Sequence, residues 1–282
     1  MRGMILAAGF GTRLRPITLT LPKPLVPVRN KPLIAYAVEN YLRAGVDEII
    51  VNLHHLPDLI ERYLTDNFDC TFHFSREEKI LGTGGALKRV RHLLTDTFFL
   101  VNGDTIQSPP FEEMRRARGD AVATLALRHP PAHDQFTPVN LEHGRVTFGS
   151  GDLMFSGAHA IGPEIFDFMP DEDAFSIVDS VYKHVALAGV VDDGPWFDIG
   201  TPQRYLEASG GTTVGARSVI EGTLNNSVVW DDCYIARGVV LNECIVAHGV
   251  ELTEPGEITR AIICRDASDA LIVSPFEGGA TL

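Results

Sequence analysis

The chain has 282 residues, 45% of them hydrophobic and 22% charged, with a formal net charge of -13 at pH 7. That length holds one sizeable α/β domain plus an appendage, or two modest domains, and the residue balance excludes a fibre, a disordered chain and a membrane span. The acidity excludes a general nucleic-acid binder, which would need a basic face to neutralise phosphates, but leaves room for a local Arg and Lys pocket around a small anion.

Apolar runs of strand length alternate with helical spacing through the first two hundred residues, the pattern of a mostly parallel α/β sheet. Strands are expected at 3–6, 48–53, 71–74 and 98–101, and helices at 32–44, 57–64 and 86–94. Between them, Gly82 to Gly85 reads as a glycine-rich loop. Residues 121–155 look β-rich, with strands at 122–127 and 145–148, and helical patterns return at 164–168 and 177–185. Because ligands bind at the carboxyl ends of strands in open α/β sheets, the loops after Leu6, Phe74 and Val101 are expected to share one crevice. Cys70, Cys233, Cys244 and Cys264 are scattered and read as buried or idle thiols. The histidines, His54, His55 and His159 among them, lack metal spacing and are expected at the surface or a pocket rim. The apolar stretch at 4–8 is too short for a signal-peptide core, so a cytoplasmic location is expected.

Beyond Ser209 the texture changes to short β-branched runs. Val228, Tyr234, Val240, Val246 and Leu252 fall every six residues, beside a second row of Cys233, Val239 and Ile245. This period suits a short left-handed parallel β-helix, whose turns have three flat sides of about six residues. The expected organisation is a catalytic domain over 1–209 and a hexapeptide-repeat region over 210–282. An open-ended coil exposes strand edges, which makes contact between subunits its expected role. About ten hexads would be wanted for an acyltransferase active site, and this tail offers about seven.

The first strand runs into Leu6-Ala7-Ala8-Gly9-Phe10-Gly11-Thr12-Arg13-Leu14-Arg15-Pro16, with Pro22-Lys23-Pro24-Leu25 downstream. Two glycines directly after a strand let the backbone approach a phosphate, and Arg13 and Lys23 supply a donor fork and a point charge. Neither a Walker A loop nor G-x-G-x-x-G is present. Asn102-Gly103-Asp104 places a carboxylate at the end of another strand, and Trp196-Phe197-Asp198-Ile199-Gly200-Thr201-Pro202 carries a second acid.

The first segment resembles the signature of the sugar-1-phosphate nucleotidylyltransferase family, G-x-G-T-R-L-x-P with a downstream P-K-P, and the Trp196 segment resembles that family's second acidic motif. The resemblance implies a Rossmann-like catalytic domain that joins a nucleoside triphosphate to a sugar 1-phosphate and releases pyrophosphate. It assigns phosphate activation to Arg13 and Lys23, and nucleotide contacts to Leu6, Ala7, Ala8, Gly9, Gly11, Thr12, Gly82 and Thr83. It further assigns a sugar contact to Gly157, with Asn140 counted in the same pocket, and Mg²⁺ to Asp104 and Asp198. Many relatives carry Glu-Lys-Pro between the sugar-pocket strands, but residues 138–156 contain no lysine. The sugar-phosphate cation is therefore expected from Arg145 or Lys183, or the pocket resembles the shorter branch that handles N-acetylmuramic acid 1-phosphate without this motif. Leu81-Gly82-Thr83-Gly84-Gly85 resembles guanylyltransferases acting on mannose or heptose 1-phosphate, whereas the missing Glu-Lys-Pro points to uridylyltransferases. The reading leans to GTP and mannose 1-phosphate, with UTP and an amino-sugar or glucose 1-phosphate as the alternative. A non-catalytic nucleotide-sugar-binding subunit would be expected to lack one of the catalytic residues, and all are present.

Overall fold

The structure, a computed structural model, describes residues 1–131 and 136–280. The chain divides into two compact units, one of Met1–Gly9 with Ile34–Trp196 and one of Phe10–Leu33 with Phe197–Leu282. The expected boundary at 209/210 falls inside the second unit.

In the first unit, β1 (Arg2–Leu6), β2 (Glu48–Leu53), β3 (Thr71–Arg76), β4 (Phe98–Asn102), β5 (Ala123–Arg128), β6 (Val139–Glu142), β7 (Arg145–Phe148), β8 (Met154–Ile161) and β9 (Leu187–Val191) form one sheet. Its order is β3-β2-β1-β4-β8-β5-β9-β7-β6. From β3 to β4 every pairing is parallel. β8 then lies antiparallel to β4 and β5, β9 runs parallel to β5, and β7 and β6 return antiparallel. The expected mostly parallel sheet thus describes the half nearest the N-terminus. The other half is mixed; parallel neighbours need a long crossover, and only His143 and Gly144 join the antiparallel neighbours β6 and β7.

Met4, Ile5, Ile49, Ile50, Val51, Leu100 and Val101 are buried, so these strands read as near-continuous apolar runs. On α1 (Leu33–Arg43), Tyr41 donates its hydroxyl to the Met4 carbonyl at 2.7 Å, and its ring fills the space a Cβ on Gly3 would need. Further along come α2 (Pro57–Asn67), α3 (Gly82–Arg89), α4 (Phe111–Arg118) and the single turn α5 (Ile177–Ser180). α3 starts four residues before the helix expected at 86–94, so Gly82 to Gly85 is its first turn rather than a free loop. No element is expected from the sequence at 111–118, because Phe111 and Met114 are the buried apolar anchors in an otherwise charged helix.

In the second unit, α6 (Pro202–Ser209) is capped by the Thr201 hydroxyl and ends at Gly210 in the left-handed conformation. The tail then coils. Thr213 pairs in parallel with Val228, Val228 with Ile245 and Ile245 with Ile262, so successive turns are offset by 15, 17 and 17 residues. Two further sides stack the same way, through Val219, Tyr234 and Glu251 and through Thr223, Val240 and Glu257. The last strand, Leu271–Ala280, pairs antiparallel to Gly256–Arg265.

The coil corrects the expected six-residue row. Its interior holds Val229, Ile235 and Leu241, then Val246, Leu252 and Ile263, while Tyr234 and Val240 are only half-buried. The step from Leu241 to Val246 is five residues, which shortens the turn to 17 and moves the inward pattern by one position. Cys233, Cys244 and Cys264 are buried, and burial raises each thiol pKa, so these three fit the expected inert role.

Candidate active site

The register of the parallel strands builds the site. Leu6 stands opposite Asn52 on one side and Asn102 on the other, so the carboxyl ends of β1, β2 and β4 are level. A cleft of about 260 Å³ opens there, lined by Leu6, Ala8 and Gly9 after β1, by Glu77, Ile80, Gly82 and Thr83 after β3, and by Asn102 and Asp104 after β4. The three expected loops therefore share one crevice, and Asn52 adds a fourth contribution from β2.

Asn52, which sequence reasoning missed, and Glu77, where the ligand-sized loop 77–85 begins, are two further polar residues of this cleft. Asn52 is 3% exposed and Glu77 5%. The Ala7 N–H donates to Asn52 Oδ1 at 2.9 Å, so that group is already engaged within the protein. Asn52 Nδ2 donates to Glu77 Oε1 at 2.8 Å, and the Leu81 N–H to Glu77 Oε2 at 3.0 Å. The available signal was a lone amide near the end of the apolar run Glu48–Leu53.

The glycines divide by what surrounds them. A Cβ on Gly9 would meet no atom within 4 Å, which leaves the open space of the cleft beside it. Gly84 and Gly85 instead make room for this protein's own chain. A Cβ there would lie 2.1 Å from the Phe175 ring and 2.0 Å from the Asp173 carbonyl oxygen. The Gly84 N–H donates to the Phe175 carbonyl, and Thr83 Oγ1 accepts from the Ile177 N–H, so the turn beside the cleft is clamped by 173–177.

Asp104 follows a turn in which the Gly103 N–H donates to the Leu6 carbonyl at 2.9 Å. A Cβ on Gly103 would lie 3.0 Å from that oxygen, so the glycine of Asn102-Gly103-Asp104 fits the turn against β1. Opposite, β8 pairs with β5 through an irregularity between Phe155 and His159, a bulge of the kind that re-aims backbone near functional sites. Gly157 sits in it at φ +92°, where a Cβ would lie 2.6 Å from Asn102 Nδ2. Trp196 Nε1 donates to the Ser156 carbonyl at 3.0 Å.

Arg13 and Lys23 lie in the second unit. Thr12–Leu14 forms a 3₁₀ turn after Gly11, which adopts φ +62°. A Cβ on Gly11 would lie 2.8 Å from Lys23 Cβ, and Thr18 Oγ1 donates to the Gly11 carbonyl. Gly11 therefore serves packing against the largely buried Lys23. The Arg13 guanidinium lies about 3 Å from where a Cβ on Gly200 would stand. Arg204 Nη1 donates to Asp198 Oδ2 at 2.8 Å.

The profile of the nucleotidyl transferase family matches residues 2–137, a span that holds Arg13, Lys23, the cleft and Asp104. Residues 2–137 are thus similar to the nucleotidyl transferase family. Among its relatives, a mannose-1-phosphate guanyltransferase of Hypocrea jecorina is 30% identical over 241 residues, covering 74% of this chain and 63% of that protein. The catalytic subunit beta of a mannose-1-phosphate guanylyltransferase of Xenopus tropicalis is 32% identical over 229 residues, covering 73% and 63%. The chain thus spans just under two thirds of the length of these curated relatives. Among solved structures, HddC of Yersinia pseudotuberculosis complexed with GMP-PN is 25% identical with a TM-score of 0.65, covering 74% of this chain and 98% of that one.

Of the residues that the sequence resemblance links to sugar, Gly157 stands beside the cleft residue Asn102. Asn140 and Lys183 do not line the cleft. Asn140 lies on β6 at the far edge of the sheet, and Lys183 Nζ donates to Asp179 Oδ1 at 2.5 Å, which lowers the Asp179 pKa. His159 is buried, which corrects the expected rim position. Its Nδ1 lies 2.6 Å from the Tyr182 hydroxyl, and burial lowers its pKa to about 3, so the ring is neutral.

Among the described residues, no three His, Cys, Asp or Glu side chains gather as a metal cage. Asp104 in the first unit and Asp198 in the second each carry carboxylate oxygens, the donor type that Mg²⁺ takes. No helix among the described residues is long and apolar enough to cross a membrane.

Proposed function

We propose that the chain transfers a nucleoside monophosphate from a nucleoside triphosphate to a sugar 1-phosphate, with GTP and mannose 1-phosphate as the substrates. The observation that carries this reading is the cleft at the ends of β1 to β4, where Gly9 leaves open space within a segment matching the family. The names of the relatives support the guanine and mannose parts.

An oxygen of the sugar 1-phosphate attacks the α-phosphorus in line, the bond to the bridging oxygen breaks, and pyrophosphate leaves with that electron pair. The nucleophile is already anionic, so no protein nucleophile is required and catalysis rests on holding two anions together. Arg13 and Lys23 are assigned to the triphosphate, Leu6, Ala8, Gly9, Gly82 and Thr83 to the nucleotide, and Gly157 to the sugar. Asn140 and Lys183 stay sugar candidates from the sequence alone, Lys183 beside Arg145 as a substitute for the missing motif lysine. Asp104 and Asp198 are the residues that would hold Mg²⁺, whose charge offsets that of the phosphates. Without such charges, two anions about 4 Å apart repel by roughly 4 kcal/mol at an effective dielectric of 20.

The lack of lysine in 138–156 favours a second reading, a uridylyltransferase. A pyrophosphate-release screen of ATP, CTP, GTP, UTP and dTTP against mannose, glucose and N-acetylated sugar 1-phosphates separates the two. Release with GTP and mannose 1-phosphate is expected. Release with UTP alone transfers the assignment, and no release with any pair removes the proposed activity.

A further inference from the structure

Three hydrogen bonds run in series beneath the cleft, from the Ala7 N–H to Asn52 Oδ1, from Asn52 Nδ2 to Glu77 Oε1, and from the Leu81 N–H to Glu77 Oε2. The amide of Asn52 is used at both ends, its oxygen accepting from one wall of the cleft and its nitrogen donating towards the other. Ala7 immediately precedes Ala8 and Gly9 on one wall, and Leu81 immediately precedes Gly82 and Thr83 on the opposite wall. Both side chains of the relay are buried, where a polar group left unsatisfied is costly and alternative geometries are correspondingly disfavoured. Glu77 is further fixed through its backbone, since its N–H donates to the Leu53 carbonyl and its carbonyl faces His54 Nδ1 at 2.8 Å.

We infer that Asn52 is a positioning residue for nucleotide binding: it ties the Ala7 wall to the Leu81 wall through Glu77 and sets the gap a nucleotide must fill. The inference rests on the proposed nucleotide reading of this cleft. Asn52 acts through Ala7 and Glu77, not on the reacting atoms, and its effect is to spare the walls a rearrangement when the nucleotide enters.

The test exchanges donor and acceptor. Asn52→Asp removes the donor and sets two carboxylates against each other. Asn52→Asp combined with Glu77→Gln restores all three hydrogen bonds with the central one reversed, at unchanged net charge. Calorimetric Kd for GTP and UTP, KM for the sugar 1-phosphate and Tm are measured for wild type and both variants. The single variant is expected to bind its nucleotide at least tenfold more weakly with an unchanged sugar 1-phosphate KM, and the double variant to recover to within about threefold of wild type. A folded single variant with wild-type nucleotide Kd overturns the inference. So does a double variant that stays tenfold weakened, and this second protein decides the matter even where Asn52→Asp alone does not fold. A wild type that binds nucleotide but releases no pyrophosphate removes the proposed activity and leaves this inference standing. A wild type that binds neither nucleotide overturns it.

Discussion

The Arg13 guanidinium lies flat against Gly200, where a Cβ would stand 2.9 Å from Nη2 and 3.1 Å from Cζ. The glycine of the Asp198-Ile199-Gly200-Thr201-Pro202 segment therefore sets where the arginine fork can lie. Gly200→Ala displaces the end of a flexible side chain, so folding should survive while kcat falls about tenfold or more, a barrier increase near 1.4 kcal/mol. Arg13→Lys keeps the charge but loses the planar fork, and its defect is expected in kcat more than in KM. Steady-state kinetics of both variants check this. A wild-type rate for either would reduce Arg13 to a diffuse charge.

Two glycines of one motif should fail in different ways. Gly9 has open space where a Cβ would go, so Gly9→Ala should keep its Tm and weaken nucleotide binding by intruding on the cleft. Gly11 combines φ +62° with a close approach to Lys23, so Gly11→Ala should cost about 1–3 kcal/mol of stability through backbone strain. Thermal melts beside nucleotide titrations separate the outcomes, and a melting loss confined to Gly9→Ala would reverse the assignment.

Asp104→Asn and Asp198→Asn should each retain less than about a tenth of wild-type kcat at saturating Mg²⁺, since each removes a negative oxygen ligand. Asp198 is already held by Arg204, so its substitution also leaves that guanidinium without this carboxylate. Either variant exceeding a tenth of wild-type turnover would lose its assignment as a ligand.

Much of this fold is visible in the sequence, and what escapes does so for physical reasons. β2 coincides with the expected 48–53 because an apolar run ended by turn residues has few alternatives. The cleft followed from strand-end geometry alone. Asn52 escaped because a single asparagine has no period, and its partner Glu77 lies 25 residues away. The start of α3 escaped because glycine is a poor helix former, and here packing on Asp173 and Phe175 outweighs that propensity. The one-residue slip in the coil escaped because Val228, Val229 and Val240 are equally apolar, so composition does not reveal which of them points inward.

The buried, neutral His159 predicts acid sensitivity. Unfolding exposes an imidazole that titrates near 6.5, against about 3 in the folded chain, so between these values the unfolded state binds more protons. Stability contributed here is present above about pH 6.5 and is lost as pH falls towards 3, at up to about 1.4 kcal/mol per unit. His159→Gln should flatten the Tm-against-pH curve between pH 6 and 4 relative to wild type. An unchanged slope would assign the sensitivity to other groups.

Removal of the coil should cost more than assembly. Trp230 Nε1 donates to the Tyr205 hydroxyl at 2.8 Å, which in turn donates to the Pro27 carbonyl at 2.6 Å, four residues after Lys23. The sequence alone suggests that chemistry survives a chain ending near Gly210, but this bridge predicts a lowered Tm and reduced transfer. Trp230→Phe, which removes the donor and trims the buried indole to a single ring, should cost at least about 0.5–1.5 kcal/mol, the value of the hydrogen bond alone. Light scattering and activity of the 1–210 protein decide: full activity with a smaller mass would return the tail to subunit contact alone.

The second unit joins Phe10–Leu33 to Phe197–Leu282, and so sets a timetable for biosynthesis. At about 5–20 residues per second, Arg13 emerges early and waits roughly 10–40 s for Gly200, against which it packs. A ribosome stalled before Phe197 would expose the earlier strands of the sheet while its exit tunnel still encloses β9, and Arg13 would still lack its contact with Gly200. The contact that sets the Arg13 fork would then form late in synthesis, although Arg13 itself is translated before most of the first unit.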